Sequence, residues 1–221
     1  MSVAYGMAKD TVRSTAEAYI AAFGGAPWYE LFTVGGRRIG TQTELAELVG
    51  SLMRRTVNPE DVKPFYTIDG VSADIEKAIN SPGTVLAVAS DRSSGGTVGA
   101  LWILQVDAIG DARRRDTVGG IISMFGLPLD KVGYLAEAFV RPEYQGLGVG
   151  VSLATESSMA AAESGYRFII FSTINEYVVR IYQKLCGPEN VYEAYRDAAD
   201  PQGRKYYLVT IKAPPERLLR G

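Results

Sequence analysis

Apolar residues recur at helical spacing through the first third of the chain. "KDTVRSTAEAYIAAF" places Val12, Ala16, Ile20 and Phe23 on one face, and "TQTELAELVGSLMRRT" does the same with Leu45, Leu48 and Leu52. A third helix is expected at "SADIEKAIN", with Ser72 as its cap and Glu76 in its first turn. Between the first two lies "GGAPWYELFTVGGRRIG", a glycine-rich connection holding Trp28 and Tyr29. From residue 84 the pattern changes. "TVLAVASD" and "GTVGALWILQVD" are β-rich runs split by "RSSGG", which reads as a hairpin. Residues 107–132 fit either a short helix or an irregular insertion. "VGYLAEAFV" is a further strand, followed by a glycine turn and a helix to about Ser164; "YRFIIFST" is a strand and "NEYVVRIYQKLC" a helix. "NVYEAYRDA" and "RKYYLVTIK" close as an antiparallel pair around "DPQG". The strand–helix–strand run from 133 to 172 predicts a right-handed crossover between parallel strands. The fold class is therefore α/β (mixed α+β): one domain over 1–221, mainly helical in 1–82 and sheet-based in 83–213.

Composition narrows the chemistry. Of 221 residues, 47% are hydrophobic and 22% charged, as in an ordinary globular domain. Lys plus Arg is 23 against 25 for Asp plus Glu, and this balance lacks the basic footprint of a nucleic-acid partner. No apolar run is long enough to span a bilayer, so no membrane association is expected. The start, "MSVAYGMAKDTVRS", lacks the charged and apolar regions of a secretory signal. One cysteine, Cys186, forbids an internal disulfide and fits a cytoplasmic protein. There is no histidine. That excludes Ser-His-Asp and Cys-His hydrolases and any histidine-ligated metal, so no metal is expected.

The glycine turn carries the strongest signal. Gln145-Gly146-Leu147-Gly148-Val149-Gly150 sits between an apolar strand and a helix. Glycine in a helix's first turns costs about 0.5–1 kcal/mol relative to alanine. Exposed N–H groups at a helix start bind anions, and absent Cβ atoms let a phosphate approach. Each hydrogen bond to a charged oxygen returns about 1.5–3 kcal/mol. The spacing fits neither the Walker loop nor the dinucleotide fingerprint, which would need glycine where Val151 stands.

The stretch does match [RQ]-x-x-G-x-[GA], and Val140, Pro142, Glu143 and Tyr144 match V-x-P-E-[YF] before it. Further on, Asn175, Val178, Ile181, Tyr182, Lys184 and Leu185 match N-x-x-[AV]-x-x-[LI]-Y-x-K-L. In both motifs the chain resembles the GNAT superfamily of N-acetyltransferases, strongly over 133–187 and more weakly over 83–213. Cys186-Gly187 departs from the Gly-Phe that commonly follows in that family. The resemblance implies a central, mostly antiparallel sheet with one splayed parallel strand pair around the glycine-turn helix, and helices on both faces. It implies acetyl-CoA as co-substrate and a small-molecule or peptide amine as acceptor. Oligomeric state stays open, a homodimer included.

The resemblance also assigns roles. Ala138, Phe139 and Val140 would pair with the pantetheine arm as a strand does. Gln145, Gly146, Leu147, Gly148, Val149 and Gly150 would hold the pyrophosphate, and Asn175 would hydrogen-bond the pantetheine. Tyr182, whose phenol is protonated at neutral pH, would give the proton to the departing thiolate. Its spacing from Asn175, Val178 and Leu185 places all four on one helix face. Without histidine the base must come from elsewhere, and Glu137 is the best-placed carboxylate, with Glu30 a weaker candidate. Trp28 and Tyr29 either stack on a substrate or pack the helical lobe. Arg113, Arg114 and Arg115 read first as a solvated charge run, with an acidic substrate or the cofactor's adenosine phosphate as the alternative. Cys186 reads as structural. The expected activity is amine acetylation by direct attack in a ternary complex; a non-catalytic acyl-CoA sensor is the competing reading.

Overall fold

The computed structural model describes residues 2–3, 9–23, 33–34, 37–38, 42–58, 67–198 and 203–211. Trp28, Tyr29, Glu30 and most of the "DPQG" turn lie outside them. In chain order the elements are β1 (Ser2–Val3), α1 (Lys9–Phe23), β2 (Thr33–Val34), β3 (Arg37–Arg38), α2 (Gln42–Met53), α3 (Ile68–Ile79), β4 (Val85–Ser90), β5 (Thr97–Gln105), α4 (Ala112–Met124), β6 (Val132–Val140), α5 (Val149–Glu163), β7 (Phe168–Thr173), α6 (Glu176–Cys186), β8 (Val191–Arg196) and β9 (Lys205–Thr210).

The main sheet runs β1-β4-β5-β6-β7-β9-β8. Every pairing is antiparallel except β6 with β7. The expected parallel pair is therefore present, joined through α5. β5 is buried along all but its last residue, which suits a central strand covered on both faces. β8 is an edge strand that shows Tyr192, Glu193, Tyr195 and Arg196 to solvent, charges that discourage edge-to-edge pairing.

The alternating side chains of the strands feed two helical layers. On one face Val85, Ala87, Leu101, Ile103, Leu135, Ile169, Phe171 and Val209 pack against α5 and α6. On the other, Leu86, Val88, Ala100, Trp102 and Phe139 meet α1 and α3. Beside that second cluster, Tyr134, Ile170, Tyr206 and Leu208 meet Val118, Ile121 and Ile122 of α4.

Two local expectations change. The third helix begins at Ile68, and its cap is Thr67, whose hydroxyl accepts from the Gly70 N–H at 3.0 Å. Ser72 lies inside the helix. Gly70 in the first turn hid that start, because glycine reads as a breaker. The 107–132 segment resolves into a full helix, α4, capped by Asp111 accepting from Arg114 N–H at 2.9 Å. It ends at Gly126 (φ 61°), where Leu127 N–H bonds back to Ile122.

Candidate active site

The site begins with a parting of two strands. β6 and β7 pair from Val132–Phe168 to Leu135–Phe171 and no further, although both strands continue. A bulge causes the divergence. Trp102 opposes Glu137 while Ile103 opposes Leu135, so Ala136 is an extra residue that bends β6 away.

Beyond the bulge, the ladder decides which backbone groups face the gap. Arg141 N–H donates to Val98 at 2.8 Å. Antiparallel pairs alternate, so Phe139 and Glu137 also turn their N–H and C=O towards β5. Ala138 and Val140 turn theirs towards the gap. This corrects the expectation for Phe139. Its backbone belongs to the β5 ladder, and its side chain is core, 5.3 Å from the Tyr19 ring and 6.1 Å from Trp102. The Val140 carbonyl accepts from Gln145 Nε2 at 3.1 Å.

The glycine turn follows at the end of β6. Gly146 and Gly148 have φ of 77° and 81°, the left-handed region that side chains disfavour. Gly148 is the N-cap of α5 and has no side chain to satisfy the helix start. The N–H groups of residues 146–151 make no hydrogen bond among the described residues. They form an exposed row of donors at the positive end of a helix. Gln145, Leu147 and Val151 are exposed, and Val149 is half-buried against the α5–α6 core.

The three glycines are not equivalent. A Cβ on Gly150 would meet Ile181 and Val140 at 3.8 Å, ordinary contact, and its φ is not positive. Conformation requires glycine at 146 and 148, and the structure shows no such need at 150. Of the three glycines expected to clear room for a phosphate, the backbone demands only the first two.

Upstream, Tyr144 donates its hydroxyl to Asp91 Oδ2 at 2.6 Å, tethering the approach to the turn to the β4–β5 hairpin. Asp91 also accepts from the Ser93 hydroxyl and from the amides of Ser93 and Ser94. These bonds, Ser93's hydroxyl foremost and Tyr144's next, hold the Asp91 carboxyl well below the usual carboxylate range. Sequence reading missed this tether, since no local pattern links positions so far apart.

On α6, Asn175 is the N-cap: its Oδ1 accepts from Tyr177 N–H at 2.9 Å, and its own N–H bonds Thr173 Oγ1 at 2.9 Å. Only the Nδ2 donor of Asn175 has no hydrogen bond among the described residues. Tyr182 is buried, its ring stacked 5.1 Å from Phe171, which stacks 5.4 Å from Tyr207. Its oxygen is enclosed without a well-formed hydrogen bond among the described residues. Burial pushes the phenol well above its ordinary pKa; the neighbouring Ser158 and Ser157 hydroxyls only partly oppose this. Tyr182 is thus held as a neutral O–H. Cys186 is half-buried at the end of α6, before Gly187 (φ 92°).

Glu137 is half-buried and opposes Trp102, whose ring packs in the α1–α3 layer. Opposed residues share a face, so Glu137 and Tyr182 stand on opposite faces of the sheet where the strands part. The arginine run does not behave as one solvated block. Arg113 is exposed and paired with Asp197, Arg115 bonds the Ile109 carbonyl, and Arg114 is half-buried near Glu137, Tyr134 and Tyr206. No group of three or more metal-ligating side chains occurs among the described residues.

A family model described as "Acetyltransferase (GNAT) family" matches residues 63–187. Comparison with curated protein sequences gives no significant match. Among solved structures, a protein provisionally named a phosphinothricin N-acetyltransferase aligns over 96% of this chain and 97% of its own, at 13% identity and TM-score 0.53. The spermidine/spermine N-acetyltransferase SpeG from Vibrio cholerae aligns over 67% and 76%, at 15% identity and TM-score 0.46. A protein from Bacillus anthracis provisionally named a streptothricin acetyltransferase, solved with acetyl coenzyme A, aligns over 62% and 68%, at 16% identity and TM-score 0.42. Of these three, the fold likeness rests on the first. The parted parallel strands, the glycine turn opening α5 and a match covering more than half of the chain agree: this protein belongs to the GNAT family of acetyltransferases.

Proposed function

We propose that the chain transfers the acetyl group of acetyl-CoA to a primary amine by direct attack in a ternary complex. The observation that carries this reading is the gap between β6 and β7 with the donor row of residues 146–151 at its end. The Ala138 N–H and C=O and the Val140 N–H would pair with the pantetheine amides as a neighbouring strand would. The amides around Gly146, Leu147, Gly148, Val149 and Gly150 would bind the pyrophosphate, with α5's positive end behind them. Asn175 Nδ2 would reach a pantetheine carbonyl. Gln145 acts through the Val140 carbonyl, holding the turn against the strand.

Acetyl-CoA supplies an activated thioester. The amine nitrogen forms a bond to the carbonyl carbon, the C–S bond breaks, and the thiolate must be protonated. Tyr182 would provide that proton from the α6 side; burial keeps the phenol protonated, as a donor must be. An ammonium with a lysine-like pKa needs about 4–5 kcal/mol to lose its proton at pH 7. Glu137, on the opposite face, would accept it directly or through water. No metal is needed for any of these steps. Among the described residues no helix is long and apolar enough to cross a membrane; a cytoplasmic location is the reading we favour, on the lone cysteine.

The test measures CoA thiol release with a panel of primary amines, beside calorimetric binding of acetyl-CoA. Acetyl-CoA-dependent turnover of at least one amine is expected. Tight acetyl-CoA binding without turnover on any amine would instead leave a sensor of acyl-CoA.

A further inference from the structure

Two hydroxyls meet where β6 and β7 part. The Tyr134 hydroxyl lies 3.3 Å from Ser172 Oγ. Ser172 is the residue of β7 just past the last β6–β7 pair, Leu135–Phe171; it is paired with Tyr206 of β9 on one side and with no residue of β6 on the other. Ile170, two positions earlier, packs in the cluster under α4 with Tyr134 and Tyr206, and strand residues two apart share a face. Ser172 therefore projects to the α4 side of the sheet, at the closed end of the gap. It is half-buried, whereas Tyr134 is buried.

Among the described residues each of these hydroxyls has the other as its only hydrogen-bond partner. Two hydroxyls joined by one bond keep one O–H and further lone pairs for another group. Burial raises the Tyr134 phenol above its ordinary value, so it stays neutral, and a phenol is a stronger acid than an alcohol. Tyr134 is thus the donor of the pair. Ser172 Oγ accepts from it and retains one lone pair. α5 and α6 pack the opposite face with core side chains, which leaves the face of the half-buried Ser172 and Glu137 for an incoming amine.

We propose that Ser172 Oγ accepts an N–H of the attacking amine and, held by Tyr134, aims the nitrogen lone pair at the thioester. This deepens the acetyltransferase reading above and rests on it. As the nitrogen bonds the carbonyl carbon and the C–S bond breaks, positive charge develops on nitrogen, and an N–H···O bond from it strengthens. The departing proton goes to the base, and the thiolate takes one from its own donor; Ser172 and Tyr134 neither gain nor lose one. Ser172 is catalytic in this step, and Tyr134 is a positioning residue acting through it. The nitrogen must offer one N–H to Ser172 and another to the base. A neutral primary amine has two; a neutral secondary amine has one.

The experiment measures thiol release by the full chain with each primary amine of the panel beside its mono-N-methyl counterpart, phenethylamine, cadaverine and glycinamide included. The primary amine should exceed its N-methyl form by about tenfold or more in kcat/KM, and Ser172→Ala should shrink that ratio by about tenfold, because the coupling between the second N–H and the hydroxyl is lost. The same variant should lower kcat on the primary amine by about tenfold or more, with acetyl-CoA affinity by calorimetry within about twofold of the parent. Ser172→Thr, which keeps a hydroxyl, should recover most of the loss, and Tyr134→Phe should reproduce part of it. N-methyl amines used as well as primary ones would overturn the inference while leaving the acetyltransferase reading standing. So would an unchanged kcat in Ser172→Ala, or threonine no better than alanine. If Ser172→Ala fails to fold, the comparison of primary with N-methyl amines in the unaltered protein decides. Absence of turnover on every amine would end both readings together.

Discussion

The Gln145 side-chain amide donates to the Val140 carbonyl at 3.1 Å, tying the last residue of β6 to the turn that starts α5. The bond occupies one of the carbonyls that face the strand gap, and it fixes the glycine turn relative to the strand. Gln145→Ala should therefore weaken acetyl-CoA binding by about three- to tenfold, the worth of one ordinary hydrogen bond. Because Gln145 is exposed, the melting temperature should change little. Calorimetry beside a thermal melt checks both halves; undiminished affinity would remove Gln145 from the cofactor site.

The glycines of the turn should separate on substitution. Gly148→Ala forces a side chain into φ 81° at the head of α5, a strain of roughly 1–2 kcal/mol. It should weaken acetyl-CoA binding by about tenfold or more as the donor row shifts. Gly150→Ala has ordinary contacts only and should keep both stability and affinity within about threefold, since alanine suits the helix better. Equal effects at the two positions would contradict the conformational account.

Tyr182→Phe removes a buried hydroxyl with no well-formed partner. Loss of an unsatisfied polar group should leave stability unchanged or raise it by about 1 kcal/mol. If the phenol protonates the thiolate, kcat should nevertheless fall by about a hundredfold while the acetyl-CoA KM stays nearly constant. A stopped-time thiol assay with a thermal melt measures the pair. Equal kcat in the two proteins would make Tyr182 a core residue only.

The Tyr144–Asp91 bond gives the turn a pH-sensitive anchor. The folded carboxyl titrates below its unfolded range, so its contribution is complete above the ordinary carboxylate range and is lost as pH falls through it towards the lowered value. Tyr144→Phe should lower the melting temperature at pH 7, and the difference from the parent protein should shrink on acidification. A difference that grew in acid would contradict the tether.

Much of this architecture could be read from local pattern. The β4–β5 hairpin, the parallel pair flanking α5 and the closing β8–β9 pair all follow from apolar runs and turn residues. The segment at 107–132 was not legible, because glycines 119 and 120 and three arginines blur the helical period of α4. The insertion of β9 between β7 and β8 was equally hidden, since strand order depends on contacts distant in sequence.

The amino-acid order alone determined that a strand ends in Gln145–Gly150 and that Asn175 and Tyr182 follow on a later helix; those patterns are local, set by dihedral preference and helical period. Only the tertiary structure decided what the groups face. A single extra residue at Ala136 shifts the ladder, so that Ala138 and Val140 open to the gap while Phe139 is consumed by β5. Three adjacent arginines meet three different environments because a helix turns each about 100° from the last. Side-chain direction depends on register and packing across the sheet, and neither is carried by neighbouring letters.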